Sequence, residues 1–169
     1  METFGLVQAG ACPFRGRGAA ADRYATAFFT KKAELAELVC DEWVVLSERH
    51  GVIDPDEEVE GVDREFAELE PAAQARWSME VVADVASRVR KHEFDRVVVF
   101  ADRSMRDALK ERGGLLSRIA AAEAETVEPL AGIGGRDRQE QWLDEQLSIR
   151  RDAADPTAAD LESTPGDLA

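Results

Sequence analysis

Cysteine is scarce in this sequence, and its scarcity excludes two classes of small domain. Only Cys12 and Cys40 are present among 169 residues, too few for a disulfide framework in a chain of this length. Their spacing matches no common metal-ligand motif. We therefore expect two reduced thiols, and we predict neither a bound metal nor a cofactor.

Long hydrophobic runs are absent as well. No stretch approaches the roughly 18 consecutive apolar residues that a membrane-spanning helix needs. The N-terminal residues also lack the basic segment and the apolar core of a signal peptide. We therefore expect a cytoplasmic protein that has no membrane partner.

Positive charge is in short supply. The chain carries 35 acidic and 21 basic residues, a net charge of −14. Only four of the basic residues are lysines, namely Lys31, Lys32, Lys91 and Lys110. An acidic, lysine-poor, alanine-rich composition is typical of proteins from salt-accumulating halophilic archaea, whose carboxylates keep the surface hydrated. An ordinary acidic protein from a GC-rich genome is the alternative interpretation.

The same charge deficit argues against a large nucleic-acid-binding face, because a phosphate backbone requires clustered basic residues. At molar salt, however, the Debye length falls to about 3 Å, so net charge acts over short distances only. A small local basic patch could still bind nucleic acid under those conditions. Nucleic acid therefore stays open as an alternative partner.

Short apolar runs alternate with helical patterns over the first 150 residues. Strand-length runs lie at 4–7, 43–46, 97–100 and 126–130, and amphipathic helical patterns lie at 22–39, 71–92, 104–110, 115–124 and beyond 135. This alternation predicts one α/β domain over residues 1–150, with a mostly parallel four-stranded sheet as its core and helices on both faces. Residues 54–70 are read as a loop. Residues 151–169 offer little to bury and are predicted to form a disordered acidic tail.

The pattern Ser47-x-x-His50-Gly51 follows directly on the apolar run at 43–46. In an open α/β sheet, ligands bind outside the carboxyl ends of the strands, so these residues are candidates for a site. His50 could act there as a general acid or base, because its unperturbed pKa lies near 6.5. The alternative is a histidine that holds the turn, with Gly51 in a left-handed conformation. A nucleophilic Ser47 is disfavoured, because the Gly-x-Ser-x-Gly elbow is missing.

Two glycine-rich stretches could bind an anion. Gly132, Gly134 and Gly135 follow a predicted strand and open a helix, whose N-terminus is positive. Close packing of strand against helix would explain the same glycines. Trp142 lies farther along that helix and could floor a pocket. The second stretch, residues 15–18, matches no phosphate-binding motif, and a surface loop explains it better.

Several of these stretches resemble a prokaryotic and phage family, the domain of unknown function numbered 6884. The matching residues are Tyr24, Thr26 and Phe29, the run from Leu46 through Ser47, His50 and Gly51 to Pro55, Asp63, residues 129–135, and Gln141, Trp142 and Leu143. The resemblance covers roughly residues 4–147, and Ser47-x-x-His50-Gly51 is its most specific part.

This sequence departs from the family pattern at three strand ends. Ala9-Gly10-Ala11 stands where the family has Cys-Gly-Lys, and Gly61-Val62-Asp63 stands where it has Pro-Tyr-Asp. Residues 101–105 replace its Ala-Gly-x-x-Tyr loop. Two of the three loops have lost their polar signature, which implies either an altered activity or a relative that keeps only the fold.

More remotely, the family is similar to the YaaA-like peroxide-stress proteins and to a domain associated with archaeosine synthesis. Both similarities imply nucleic acids or nucleobases. Together with the strand-end residues they lead to the main hypothesis, a domain that binds a nucleobase, nucleotide or related anionic small molecule. A nucleobase-modifying enzyme is one form of this hypothesis. The alternative is a non-catalytic nucleic-acid-associated or stress-response binding module with a degenerate pocket. A structural subunit whose partner covers the strand ends is a third interpretation.

The main hypothesis assigns a role to each candidate residue. The predicted catalytic residues are His50, Ser47 and Asp63, with Asp63 orienting His50. The predicted ligand-binding residues are Tyr24, Thr26, Gly51, Gly132, Gly134, Gly135 and Trp142. This hypothesis requires Tyr24, Ser47, His50 and Asp63 to converge in one cavity. The sequence does not determine the oligomeric state.

Overall fold

The computed structural model describes residues 1–13, 15–24, 26–111 and 114–152 of the chain. Within these residues the strands are β1 (Thr3–Gln8), β2 (Gly18–Ala19), β3 (Glu42–Ser47), β4 (Gly51–Ile53), β5 (Glu58–Val59), β6 (Arg96–Phe100) and β7 (Glu125–Val127). The helices are α1 (Ala20–Arg23), α2 (Ala27–Val39), α3 (Pro71–His92), α4 (Arg103–Lys110), α5 (Leu115–Ala121) and α6 (Arg136–Arg151), with a 3-10 turn at Phe66–Glu68. They form one mixed α/β domain.

The main sheet has five strands in the order β4-β3-β1-β6-β7. The pairs β1 with β3, β1 with β6, and β6 with β7 are parallel. Parallel strands place their carboxyl ends on one side of a sheet. Here those ends are Gln8, Ser47, Phe100 and Val127, and we call this side of the sheet the carboxyl edge.

Neighbouring residues of the central strands contribute to two separate apolar clusters. Leu6, Leu46 and Val99 belong to the cluster that contains the buried residues of α3. Val7, Val45 and Phe100 belong to the cluster that contains buried residues of α2 and α6. Successive side chains of a strand point to opposite faces, so an unbroken Val/Phe run buries both of its faces.

The sheet has five strands, so the prediction of four is wrong by one. The additional strand, β4, pairs antiparallel with β3, with Ser47 opposite Gly51. Gly51 has a φ of 72° and begins the returning strand. Residues 47–51, which the sequence pattern placed in a strand-end loop, are therefore the tight turn of a β-hairpin.

Three further details differ from the sequence-based expectations. Residues 54–70 contain β5, which pairs antiparallel with β2, and an isolated bridge joins Cys12 to Asp63. Helix α4 begins at Arg103, one residue before the predicted pattern at 104–110, and its N-cap Asp102 accepts a hydrogen bond from the Met105 amide. The last predicted strand ends at residue 127 rather than 130.

Helix α3 agrees closely with its sequence pattern. It begins at Pro71, where a missing amide hydrogen costs no intrahelical hydrogen bond, and it buries Trp77, Val81 and Val85. Within the described ranges, no helix is both long and apolar enough to cross a membrane. The tail was predicted for residues 151–169, but Arg151 is the last residue of α6. Residues 153–169 of the predicted tail lie outside the described residues.

Gly5 of β1 allows β3 and Cys40, the C-cap residue of α2, to approach closely. A Cβ atom at Gly5 would lie 2.9 Å from Cys40 Sγ and 3.1 Å from Trp43 Cβ. We expect Gly5→Ala to lower the free energy of unfolding by about 1 to 3 kcal/mol, because the packed strand cannot move away. Urea denaturation measures this change.

Gly134→Ala is the matched control, because a Cβ there would meet no heavy atom within 4 Å. Its free energy of unfolding should stay within about 0.5 kcal/mol of the wild type. Equal effects of the two substitutions would contradict the close approach at Gly5.

Candidate functional site

Two groups of polar residues lie at the carboxyl edge. The first, which we call the tyrosine network, consists of Tyr24, Ser47 and Asp63. The second, which we call the lysine cluster, consists of Gln8, Phe28, Lys32, Asp102 and Arg136. The hydrogen bonding of the two groups differs.

The tyrosine network is buried and closed. Ser47, at the end of β3, is 0% exposed, while Tyr24 and Asp63 are 1% and 2% exposed. The Tyr24 hydroxyl donates to Asp63 Oδ1 at 2.9 Å, and the Ser47 hydroxyl donates to Asp63 Oδ2. Burial raises the pKa of Tyr24, and the negative charge of Asp63 adds to this effect. Tyr24 therefore stays a protonated donor to the carboxylate.

Ser47 also holds the hairpin turn. Its Oγ atom accepts hydrogen bonds from the amides of Arg49 and His50, at 3.2 and 3.0 Å. Its carbonyl oxygen accepts from Trp77 Nε1 at 2.8 Å, which connects the turn to α3. The hydroxyl thus donates to a carboxylate and accepts from two amides. This arrangement supports a structural role for Ser47, not that of a nucleophile.

The His50 ring contacts a backbone carbonyl oxygen and not Asp63. Its ring nitrogen Nε2 lies 3.0 Å from the carbonyl oxygen of Glu60, and its half-buried ring reaches solvent. Both carboxylate oxygens of Asp63 are bonded to Tyr24 and Ser47. The prediction that Asp63 orients His50 is therefore wrong, because the partners of Asp63 are Tyr24 and Ser47. In the turn, the backbone amide of His50 donates to Ser47.

The other predicted ligand-binding residues lie in several places. Thr26 is the N-cap of α2, since its Oγ1 accepts from the Phe29 amide at 3.2 Å. Gly132, Gly134 and Gly135 lie in the exposed loop that follows β7, and Cβ atoms there would meet nothing within 4 Å. Trp142 is buried in α6, and its Nε1 has no hydrogen-bond partner among the described residues.

The glycine loop and the tyrosine network follow strands that are not neighbours in the sheet. In the strand order, β3 and β7 are separated by β1 and β6. Adjacent strands lie about 4.8 Å apart, so β3 and β7 are roughly 14 Å apart. The structure brings Tyr24, Ser47 and Asp63 together. Gly132, Gly134 and Gly135 follow β7 at the opposite end of the strand order, and Trp142 belongs to the same apolar cluster as Tyr24.

The lysine cluster lies at the ends of β1 and β6. The Nζ atom of Lys32, from α2, donates to the carbonyl oxygen of Gln8 at 2.9 Å. It also lies 4.4 Å from the centre of the Phe28 ring, and Arg136 Cζ lies 5.0 Å from the same centre. Two cations therefore adjoin one aromatic ring. Lys32 is only 5% exposed, whereas Phe28 is half-buried and Arg136 is exposed.

Gln8 and Asp102 fix each other across adjacent strand ends. Gln8 Nε2 donates to Asp102 Oδ2 at 3.1 Å, and the Asp102 amide donates to Gln8 Oε1 at 2.7 Å. The other carboxylate oxygen accepts from the Met105 amide at 3.0 Å. These three hydrogen bonds hold the carboxylate beside Lys32 in one orientation.

Burial lowers the pKa of Lys32 from 10.5 to about 7. Asp102 and Glu65 raise this pKa, and Arg136 lowers it. Among the residues that the structure describes, Lys32 forms no ion pair within 4.0 Å, and its hydrogen-bond acceptor is a neutral carbonyl. The amine therefore changes its charge close to neutral pH.

Lys32 was not among the residues predicted from the sequence, although a signal was present. Phe28, Lys32, Leu35 and Val39 are spaced four, three and four residues apart, which places the lysine in the apolar stripe of α2. Surface lysines rarely occupy such a position. A search for charged residues within apolar stripes would have found it.

Two surface grooves lie away from the tyrosine network and the lysine cluster. One groove, of about 630 Å³, lies between α2 and α6, and the other, of about 680 Å³, lies beside α3, α4 and α5. Neither is lined by a residue of the tyrosine network or the lysine cluster. In the described part of the chain, no group of three or more His, Cys, Asp and Glu side chains could hold a metal ion.

The fold and the two groups define an α/β domain with buried polar residues at the carboxyl edge of a mostly parallel sheet. The chain belongs to a family of unknown function, DUF6884, whose model matches residues 12–145. The resemblance that rests on Ser47-x-x-His50-Gly51 is thereby confirmed. No curated protein and no solved structure matches the chain. The similarity to peroxide-stress proteins and to an archaeosine-associated domain stays a prediction.

The tyrosine network predicts a specific loss of stability. Tyr24→Phe removes the donor to Asp63 Oδ1 and leaves a buried carboxylate oxygen unpaired. The free energy of unfolding should fall by about 1 to 3 kcal/mol. Urea denaturation at pH 7 measures the loss. His50→Ala, which removes a partly exposed hydrogen bond, should cost less than about 1 kcal/mol. A Tyr24→Phe variant as stable as the wild type would contradict the network.

The lysine cluster predicts a pH dependence of stability. Below pH 7, Lys32 is protonated in the folded and unfolded states, whereas between about 7 and 10.5 only the unfolded chain keeps the proton. The unfolding free energy should therefore rise with pH, by up to about 1.4 kcal/mol per unit. The measurement spans pH 6 to 8.5. Burial raises the pKa of Cys40 from 9.0 to about 12. Above pH 9 only the unfolded chain loses this thiol proton, so the free energy of unfolding falls there.

Lys32→Met should remove this pH dependence and should be more stable than the wild type at pH 6, because no buried ammonium remains. The neighbouring Lys31 is partly exposed and pairs with Glu140 and Asp144. Lys31→Met should therefore keep the wild-type slope. A Lys32→Met variant with an unchanged slope would show that Lys32 titrates normally.

Proposed function

We propose that this protein binds a small anionic molecule, a nucleotide, a nucleobase or a related compound, at the carboxyl edge beside Lys32. One observation carries the proposal. The Lys32 amine is buried between the Gln8 carbonyl and the Phe28 ring, without an ion pair in the described residues. A buried cation without a counter-ion is destabilising, and such groups are retained mainly where they bind or react with something.

The charges around Lys32 support an anionic ligand. The chain as a whole has a net charge of −14, yet Lys32 and Arg136 adjoin the same aromatic ring. Asp102, the nearby carboxylate, already accepts from the Gln8 side chain and the Met105 amide. An anion between the two cations would supply the missing negative charge, while Phe28 could contact an apolar or aromatic part of the ligand.

The position of the cluster supports the same proposal. Ligands of open α/β sheets bind outside the carboxyl ends of the strands. The loop with Gly132, Gly134 and Gly135 leads into α6, whose first amides follow Arg136. These amides could bind an anionic group, as proposed from the sequence, and Trp142 Nε1 is an additional donor in the same helix.

The second candidate is a non-catalytic nucleic-acid-associated or stress-response binding module. The tyrosine network favours a non-catalytic role over catalysis by His50. The hydrogen-bonding groups of Ser47 and Asp63 are occupied by protein partners, and the His50 ring contacts the Glu60 carbonyl. In this candidate, Tyr24, Ser47, Gly51 and Asp63 stabilise the turn beside the binding site. Nucleobase modification and nucleic-acid binding are supported by the remote family similarities alone.

We further propose that the protein works in the cytoplasm of a cell with high internal salt. The acidic, lysine-poor composition supports this proposal, because carboxylates keep a surface hydrated in concentrated salt. Two cysteines too few for a disulfide framework are consistent with a reducing compartment.

Thermal unfolding in molar KCl tests the binding proposal. The panel contains nucleobases, nucleotides and short single-stranded DNA and RNA. A ligand at about 100 times its Kd should stabilise the wild type by about 2.7 kcal/mol, or roughly 5 to 10 °C for a domain of this size. The shift should disappear in Lys32→Met and persist in Lys31→Met, because only Lys32 adjoins the proposed site.

The other variants and ligands separate the alternatives. A shift that persists in Lys32→Met but disappears in His50→Ala would overturn the proposed site in favour of the hairpin turn. A shift with single-stranded nucleic acid alone would support the second candidate. Equal Tm values for every ligand would contradict both.

A further inference from the structure

The amine of Lys32 differs from the other three lysine amines of the chain. Lys91 and Lys110 are exposed, and Lys31 pairs with two carboxylates at the surface of α6. Lys32 is buried, and its Nζ atom is held by one backbone carbonyl and one aromatic face. An unprotonated amine in this position donates one hydrogen to Gln8 and keeps its lone pair available.

The groups around Lys32 come from four parts of the chain. They are the Gln8 carbonyl at the end of β1, the Asp102 carboxylate after β6, Arg136 at the start of α6, and Glu65 before the 3-10 turn. Phe28 and Arg136 extend from the amine to the surface, because the ring is half-buried and the guanidinium is exposed. A small molecule bound by Arg136 would therefore lie at the aromatic ring that the Lys32 amine also contacts.

We propose that Lys32 is a nucleophile that forms an imine with an aldehyde or ketone group of a small anionic ligand, whose anionic group binds Arg136. This inference rests on the proposed function, because it requires an anion at the carboxyl edge. Desolvated lysines beside another cation are a recurrent way of making an amine nucleophilic at neutral pH. The lysine and Arg136 beside one ring reproduce that arrangement.

The reaction needs no oxidant or reductant. The lone pair of Nζ attacks the carbonyl carbon, and the π electrons of the carbonyl move to its oxygen, which takes up a proton. The nitrogen loses one proton to solvent water, and the hydroxyl group takes up one proton from solvent as it leaves as water. The nitrogen lone pair then forms the C=N bond. The balance is amine plus carbonyl compound plus one proton, giving a protonated imine plus water.

Selective labelling follows from the protonation state of the amine. At pH 7.5 an ordinary lysine is only about 0.1% unprotonated, whereas Lys32, with its pKa of about 7, is more than half unprotonated. Burial slows access and reduces this advantage. We still expect Lys32 to react at least about tenfold more than any other lysine.

The test uses pyridoxal 5′-phosphate as an anionic aldehyde probe. The full chain is incubated with the probe at pH 7.5, reduced with sodium borohydride and digested, and peptide mass spectrometry measures labelling at each lysine. Lys32 should carry most of the label, with half-maximal labelling near pH 7. Lys32→Met should lose this label, and Lys31→Met should keep it. Arg136→Gln should reduce labelling at low probe concentration by about tenfold, because the anion loses a partner.

Pyridoxine 5′-phosphate, which has the same phosphate but no aldehyde, separates the two proposals. If it stabilises the wild type and not Lys32→Met, while the aldehyde leaves Lys32 unlabelled, anion binding stands and the imine inference is overturned. If the aldehyde labels Lys32 selectively but no anion stabilises the protein and Arg136→Gln is labelled as well as the wild type, Lys32 is a reactive amine, and both the bound anion and its role in the imine are overturned. Labelling of all four lysines in proportion to their exposure, with no stabilisation, overturns both.

Discussion

The pairing of β1 with both β3 and β6 determines where the polar groups of the interior lie. Each pair is parallel, so Gln8, Ser47 and Phe100 end on the same side of the sheet. Backbone groups that the ladder no longer pairs need other partners there. The Gln8 carbonyl receives the Lys32 amine, and the Ser47 carbonyl receives the indole of Trp77. The carboxyl edge is polar because the ladder ends there.

The tyrosine network and the lysine cluster both bury polar groups, but they differ in how far the protein compensates the lost hydration. Tyr24, Ser47 and Asp63 exchange hydrogen bonds among themselves and with the turn, so their burial is compensated within the protein. Lys32 receives a carbonyl and an aromatic face in place of a counter-ion. Satisfied polar networks specify a fold, whereas an uncompensated cation is a feature that folding alone does not explain.

Local sequence patterns predicted most helices and strands, whereas features that depend on pairing between distant segments were missed. The Val97–Val99 run and the apolar stripe of α3 depend on nearby residues only, so they were found. Strand β4 is three residues long, and its pairing with β3 carries no local periodicity. The hydrogen-bond acceptor of Lys32 is Gln8, 24 residues away in the sequence, so no local pattern identifies it. The motif thus indicated the carboxyl edge, whereas Lys32 lies in the apolar stripe of α2.

The pairing of β2 with β5 and the bridge between Cys12 and Asp63 join two segments that the sequence presents as separate loops. The segment that leads from β1 into α2 and the segment that follows the hairpin consequently form one cooperative unit. Neither can open without breaking backbone hydrogen bonds to the other. An opening that exposes the polar interior must therefore break both the β2–β5 pairing and the Cys12–Asp63 bridge. The backbone amides of the two segments should consequently exchange with deuterium at the same rate.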